Sequence, residues 1–428
     1  MLRKITISTA ASLIVLALAS ACKQTSPGIV KSIPWYLDGQ WLIADLHSHT
    51  RFSDGRLPLA EVAAKGFLSG CDVLAITDHS DLSPRIGTAS REYFAALEQA
   101  RIDTPGLILL GGIEWNIPPH GGEEHVSVLL PPDKAGELLG IFRHRFDDVA
   151  RQKDQPPSSA DQAFLWLEQR LGSQTPGVLI YNHPSRKAEK GEDVGQRLAQ
   201  WTRSNGLLVA MEGAPGHQRS STVGSYKGTV KTVDGWDPAT FQVGGEWDRL
   251  LDQGKDLWAA LANSDFHNET IDYLPCSYSR THLRVPERSA AGVLAALQAG
   301  SFWADHGHLL ETLAWSASTS NPPMTSFPAE VASIGDGPID VNLSLSRGEG
   351  GASLTLAVEL IGNCASGKPE VIASATLGPG QNAAHWRLPD ATSGADGDSC
   401  YLRLRVRGQR DEGPTLAALS NPMRLLLD

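Results

Sequence analysis

No cluster of lysine and arginine occurs anywhere in the 428 residues, and the formal net charge is −11. Affinity for a phosphate backbone rests on such clusters, so general nucleic-acid binding is excluded. The five cysteines include no Cys-x-x-Cys pair, which removes the thiolate metal sites built on that spacing. The apolar run near the start, residues 10–19, is too short for a comfortable membrane-spanning helix. Short-period repeats and low-complexity tracts are missing as well, which argues against a repeat architecture.

What remains is an ordinary globular composition, 41% hydrophobic and 20% charged, in a chain long enough for two or three domains. Arg3 and Lys4, the apolar run and Ala19-Ser20-Ala21-Cys22 together read as a signal peptide over residues 1–21. The small residues before Cys22 resemble a bacterial lipoprotein cleavage box, with Ala19 standing where leucine is usual. The expectation is an exported protein of the bacterial cell envelope, lipid-anchored through Cys22, with residues 22–40 as a polar tether. Cys364 and Cys400, close together in a β-rich region, are expected to pair. Cys71 and Cys276 read as buried small residues.

Residues 41–312 alternate short apolar runs with amphipathic segments, the pattern of β/α units. Strands are expected at 42–46, 73–76, 107–110, 126–130, 178–181, 207–211 and 257–262. Helices are expected at 57–68, 91–100, 161–171 and 289–299, with a helical excursion over 131–155. Residues 321–428 are punctuated by Gly, Ser and Pro around alternating stretches at 341–345, 353–360 and 401–406, which predicts a small antiparallel β-sandwich.

Chemistry-bearing residues fall at the ends of those strands. His47, His49 and Asp54 follow the first, Asp78 and His79 the second and Glu114 the third. His183 follows the strand ending at Tyr181, and Asp265 and His267 close the series. In a barrel of parallel strands these positions converge on one face. Convergent imidazoles and carboxylates suit zinc, iron or manganese, and a carboxylate can bridge two cations. Each motif alone could be a solvated turn; five in order at strand ends cannot all be.

This ordered set resembles the polymerase and histidinol phosphatase (PHP) family of metal-dependent hydrolases. The resemblance implies an α/β fold, a distorted barrel of seven β/α units, and two or three divalent ions. It further implies that His47, His49, Glu114 and Asp265 hold one ion, Asp54, His79 and His267 a second, and Glu114, His125 and His183 a third. His125 rests on the motif match alone, because it begins a strand instead of ending one. The run Glu212-Gly213-Ala214-Pro215-Gly216-His217 and the trailing β domain resemble the carbaryl-hydrolase-like branch. His217, Arg280, Asp305 and His306 are candidates for substrate binding or leaving-group protonation, and Asp78 for support of a ligand histidine. The expected activity is a phosphoesterase using a metal-activated hydroxide on a small phosphorylated substrate. Hydrolysis of an amide, carbamate or carboxylic ester is the alternative, and a non-catalytic metal-binding or interaction lipoprotein is a third reading.

Overall fold

The computed structural model describes residues 39–81, 86–149, 158–172, 177–188, 206–320, 323–334 and 337–427, with Val194 and Leu198. The expected signal peptide, Cys22 and nearly all of the tether lie outside these residues. Everything described falls in one compact unit, Lys31–Asp428. Among the described residues no helix is long and apolar enough to cross a membrane.

The N-terminal region is mixed α/β. Its strands are β1 (Gln40–Asp45), β2 (Val73–Ile76), β3 (Ile108–Asn116), β4 (His125–Leu129), β5 (Val178–Tyr181), β6 (Leu208–Met211), β7 (Ser279–Val285) and β8 (Phe302–His306). They lie side by side in the order β8-β7-β1-β2-β3-β4-β5-β6. Among the described residues its full helices are α1 (Leu59–Leu68), α2 (Arg91–Asp103), α3 (Pro132–Phe146), α4 (Ala160–Leu171), α5 (Pro238–Phe241), α6 (Glu246–Asp252) and α7 (Ala290–Ala299).

Local chemistry accounts for the helix starts. Ser90 accepts from Tyr93 N at α2, Ser289 accepts from Gly292 N at α7, and Ser159 and Gln162 form a reciprocal capping box at α4. Tyr93, Leu97 and Ala100 line the buried face of α2. The Tyr93 hydroxyl donates to Ile76 O and Gly112 O, which fastens α2 across β2 and β3.

Strand direction departs from the all-parallel expectation. β1–β2, β2–β3 and β5–β6 are parallel, whereas β3–β4, β4–β5, β1–β7 and β7–β8 are antiparallel. Residues 117–124 are too few to carry the chain back for a parallel crossover, so β4 returns alongside β3. Residues 257–262 are not a regular strand. They make isolated bridges from Trp258 to Ala210 and from Ala262 to Ala214, while Ala262 N also bonds Thr281 Oγ1 of β7. That segment therefore joins the β6 side of the sheet to the β7 side.

The C-terminal strands are β9 (Leu310–Ser320), β10 (Pro323–Ser326), β11 (Val331–Ile334), β12 (Pro338–Arg347), β13 (Leu356–Gly362), β14 (Glu370–Leu377), β15 (Ala383–Asp390), β16 (Ser399–Gly408), β17 (Leu416–Ser420) and β18 (Met423–Leu427). A four-stranded layer, β10-β9-β12-β15, faces strands continuous with the N-terminal sheet through the β8–β17 pairing. Their apolar sides meet in one cluster that includes Leu313, Trp315, Val341, Leu343, Leu360 and Leu404. β9 already belongs to this layer, so the β region begins before residue 321, where the alternation in sequence becomes clear.

Two disulfides are present. Cys364–Cys400 pairs as expected. Cys71 and Cys276, read as unpaired small residues, also form one, with Cα atoms 5.4 Å apart across 205 residues of sequence. The fold brings the turn after α1 against the loop before β7, and no local pattern announces that approach.

Candidate metal centre

Because β1, β2, β3 and β5 run in one sense, their C-terminal ends share one end of the sheet. His47 and His49 lie just past β1, His79 past β2 and His183 past β5. β4 runs the opposite way, so its first residue, His125, arrives at the same end; that is why this histidine begins a strand. Glu114 is not beyond the third strand but inside it, since β3 continues to Asn116.

Two carboxylates organise the centre. Glu114 Oε1 lies 3.3 Å from His47 Nε2, 3.0 Å from His125 Nδ1 and 3.2 Å from His183 Nε2. Its Oε2 lies 3.3 Å from His49 Nε2 and 3.0 Å from His79 Nδ1. Asp265 Oδ1 faces His47 Nε2 at 3.2 Å, His49 Nε2 at 3.1 Å and His267 Nδ1 at 3.5 Å. Its Oδ2 faces Arg186 Nη1 and His217 Nε2, each at 3.1 Å. Asp54, at the open edge, is 3.2 Å from His267 Nε2 and 3.6 Å from both His49 Nδ1 and His79 Nε2.

These residues fit cations. Asp265 Oδ1 is buried without a hydrogen-bond partner although ring nitrogens crowd it. His47 Nε2 and His49 Nε2 stand 3.1 Å apart, a contact in which at most one needs a proton and both could serve one metal. His49, Asp54, His79 and His267 can present ligand atoms within 4.8 Å of one another, as can the sets His47, His49, Asp265 and His79, Glu114, His125. A further set, His217, Asp265 and His267, meets the same measure.

Electrostatics follow from burial and crowding. Burial pushes the Glu114 and Asp265 carboxyls up, but the surrounding histidines outweigh it and hold both well below the usual carboxylate range. Burial works against charge on His217 and His267, yet Asp265 prevails and both are pushed up to about 9. His183 goes the other way, lowered by burial and then by Arg186, which favours the neutral imidazole a metal needs.

Around this centre lies a supporting layer. Glu212 takes His47 Nδ1 at 2.8 Å and the His183 backbone N–H at 2.7 Å, so His47 presents Nε2 inward. Asn263 donates to Glu212 and Asn182 to Glu114. Asp272 holds His217 Nδ1 at 2.6 Å and the His267 backbone N–H at 2.6 Å. A Cβ on Gly216 would lie 2.0 Å from Asp265 Cβ, so only glycine lets His217 approach that carboxylate. Asp78 touches no histidine directly: it accepts from Thr50 N, Thr50 Oγ1 and Ser53 Oγ and fixes the loop leading to Asp54.

Three sequence candidates fall elsewhere. Arg280 shares a face of β7 with His282, against Glu311 and the C-terminal layers, because residues two apart in a strand point the same way. Asp305 accepts from His282 Nε2 and Leu310 N. His306 reaches the correct end of β8 but is fully buried, its ring between those of Trp236 and Tyr278. The reading missed Glu212, Asn182, Arg186, Asn263 and Asp272 as site residues. Asn182 and Arg186 flank His183 and could have been found by that proximity; Asp272 gives no local signal.

Comparison with known proteins bears on this geometry. The PHP domain model matches residues 45–169, a stretch that holds His47, His49, Asp54, His79, Glu114 and His125 and stops short of His183, Asp265 and His267. No curated protein matches the chain. Among solved structures, a two-domain protein from Bacteroides vulgatus containing a predicted PHP-like metal-dependent phosphoesterase is 15% identical. The likeness covers 89% of this chain and 96% of that one, with a TM-score of 0.45. A candidate metal-dependent phosphoesterase from Bifidobacterium adolescentis is 16% identical over 40% of this chain and 77% of its own, with a TM-score of 0.27. An amidohydrolase from Chromobacterium violaceum, with bound sulfate and no metal, is 16% identical over 54% and 89%, with a TM-score of 0.33. The chain thus carries, in its N-terminal region, a stretch that matches the PHP domain and six of the nine residues first read as metal ligands.

Proposed function

We propose that the protein is a metal-dependent phosphoesterase acting on a small phosphorylated substrate. The observation that carries this reading is Glu114, whose two oxygens face imidazoles supplied from the ends of four different strands. His47, His49, Glu114 and Asp265 would hold one divalent ion, Asp54, His79 and His267 a second, and Glu114, His125 and His183 a third, on a distorted barrel of β/α units. Such ions supply a nucleophile near neutral pH and offset charge developing on substrate oxygens. Glu212 and Asp272 keep His47 and His217 turned so that Nε2 faces the centre. Burial of Glu114 and Asp265 keeps competing water from their oxygens.

The test is to load the protein with zinc, manganese or iron and assay phosphomonoesters, phosphodiesters and carbamates. Metal-dependent phosphoester cleavage is expected. Carbamate or carboxylic ester cleavage alone would move the protein to the alternative chemistry, and full activity after metal stripping would overturn the metallohydrolase reading. Export and lipid attachment at Cys22 belong to the same proposal, supported by the N-terminal sequence. A Cys22→Ser chain that stays with the membrane fraction would refute the attachment.

A further inference from the structure

The second oxygen of Asp265 faces a guanidinium as well as an imidazole. Arg186 Nη1 donates to Asp265 Oδ2 at 3.1 Å, and among the described residues its side chain meets no other acceptor. Asp265 already meets His217 through the same oxygen and three imidazoles through the other. The Arg186 side chain is 21% exposed, so its remaining N–H groups are within reach of a molecule entering the site.

Its backbone is held from beneath, while Asp265 meets the side chain. Arg186 N closes the turn on His183 O at 3.0 Å. The preceding residue, Ser185, donates N and Oγ to buried Asp237 at 2.8 and 2.6 Å. Asp237 also accepts from the Tyr226 hydroxyl and caps α5 through Ala239 N. A rigid platform therefore holds a permanent positive charge beside a cation centre, where it weakens cation binding by repulsion. That arrangement is useful when an anion shares the site. The guanidinium fork matches two oxygens of a phosphoryl group, whereas a carbamate, amide or carboxylic ester offers it no ionised oxygen.

We infer that Arg186 binds a phosphoryl oxygen of the substrate and makes the site selective for phosphate esters over neutral esters and carbamates. This rests on the phosphoesterase reading above. The experiment uses the metal-loaded full chain with p-nitrophenyl phosphate, p-nitrophenyl acetate and inorganic phosphate as an inhibitor. Arg186→Ala should keep its metal and raise both the KM for the phosphate ester and the inhibition constant of phosphate by roughly ten- to a hundredfold. The ratio of kcat/KM between phosphate and acetate esters should fall with them, and Arg186→Lys should recover part of the loss. Equal losses on both esters with unchanged phosphate inhibition would overturn the role of Arg186 and leave the phosphoesterase reading standing. Loss of metal from Arg186→Ala would overturn it too, by assigning the residue to cation retention. A wild-type protein that cleaves the acetate ester and never the phosphate ester removes the underlying reading instead.

Discussion

In the C-terminal β region each buried guanidinium has a carboxylate partner, Arg403 one of its own, whereas around Glu114 five imidazoles share one. Arg403 donates to both oxygens of Asp248 at 2.7 and 2.8 Å with both side chains fully buried. Arg405 pairs with Glu359 at 2.7 Å and Arg424 with Asp256 at 2.9 Å. Arg403–Asp248 is closed in charge, one cation to one anion, and removing either partner would leave the other uncompensated in the interior. Asp248 sits in α6 and Arg403 in β16, so this pair fastens the C-terminal layers to the N-terminal region. The five-to-one arrangement at Glu114 is open, with ring nitrogens and carboxylate oxygens converging on positions that cations could satisfy together. Buried carboxylates therefore do different work according to how many partners they meet.

The strongest way to break this contrast is Glu114→Gln, which keeps size and removes the shared charge. Metal content by elemental analysis should fall by more than one site, and phosphoester turnover by about a thousandfold or more. Retained metal with near-normal turnover would show that Glu114 is merely another buried polar group.

Asp248→Asn probes the closed side by leaving the Arg403 charge unpaired in the interior. Stability in urea should drop by about 3–5 kcal/mol, while the folded fraction still binds metal. An unchanged unfolding midpoint would mean that the pair does not hold the two regions together.

The smallest effect sharpens the boundary between the centre and the core. Burial lowers the His306 imidazole from 6.5 to about 4. The unfolded chain therefore takes up a proton that the folded chain refuses, and stability is lost as pH falls from about 6.5 toward 4. At pH 5 the loss attributable to His306 is about 2 kcal/mol. His306→Phe should flatten that part of the stability profile and leave metal content untouched; an unaltered slope would show that another group controls it.

Much of the centre was legible because its ligands travel in short local motifs. His47 and His49, Thr77-Asp78-His79 and Asp265-Phe266-His267 each fall next to an apolar stretch of recognisable period. Helix starts were legible for a similar reason, since the caps at Ser159 and Ser289 act over three residues. What lay beyond that range was not. Arg280 looked like a site residue until the alternation of β7 turned it toward the C-terminal layers. Cys71 and Cys276 looked unrelated until the fold closed the 205 residues between them.

By itself, then, the sequence determined the donor inventory and its order: which imidazoles and carboxylates exist, and that they recur where strands end. Only the tertiary structure decided which of them face one another. Strand sense put His125 at the start of β4 beside the others, and Asp237 fixed the turn from which Arg186 meets Asp265. Glu212 and Asp272 reached across 165 and 55 residues to orient histidines. The physical reason is range. Periodicity and capping act over a few residues and leave a local imprint, whereas the partner of a buried charge is chosen by packing that brings distant segments within about 3 Å.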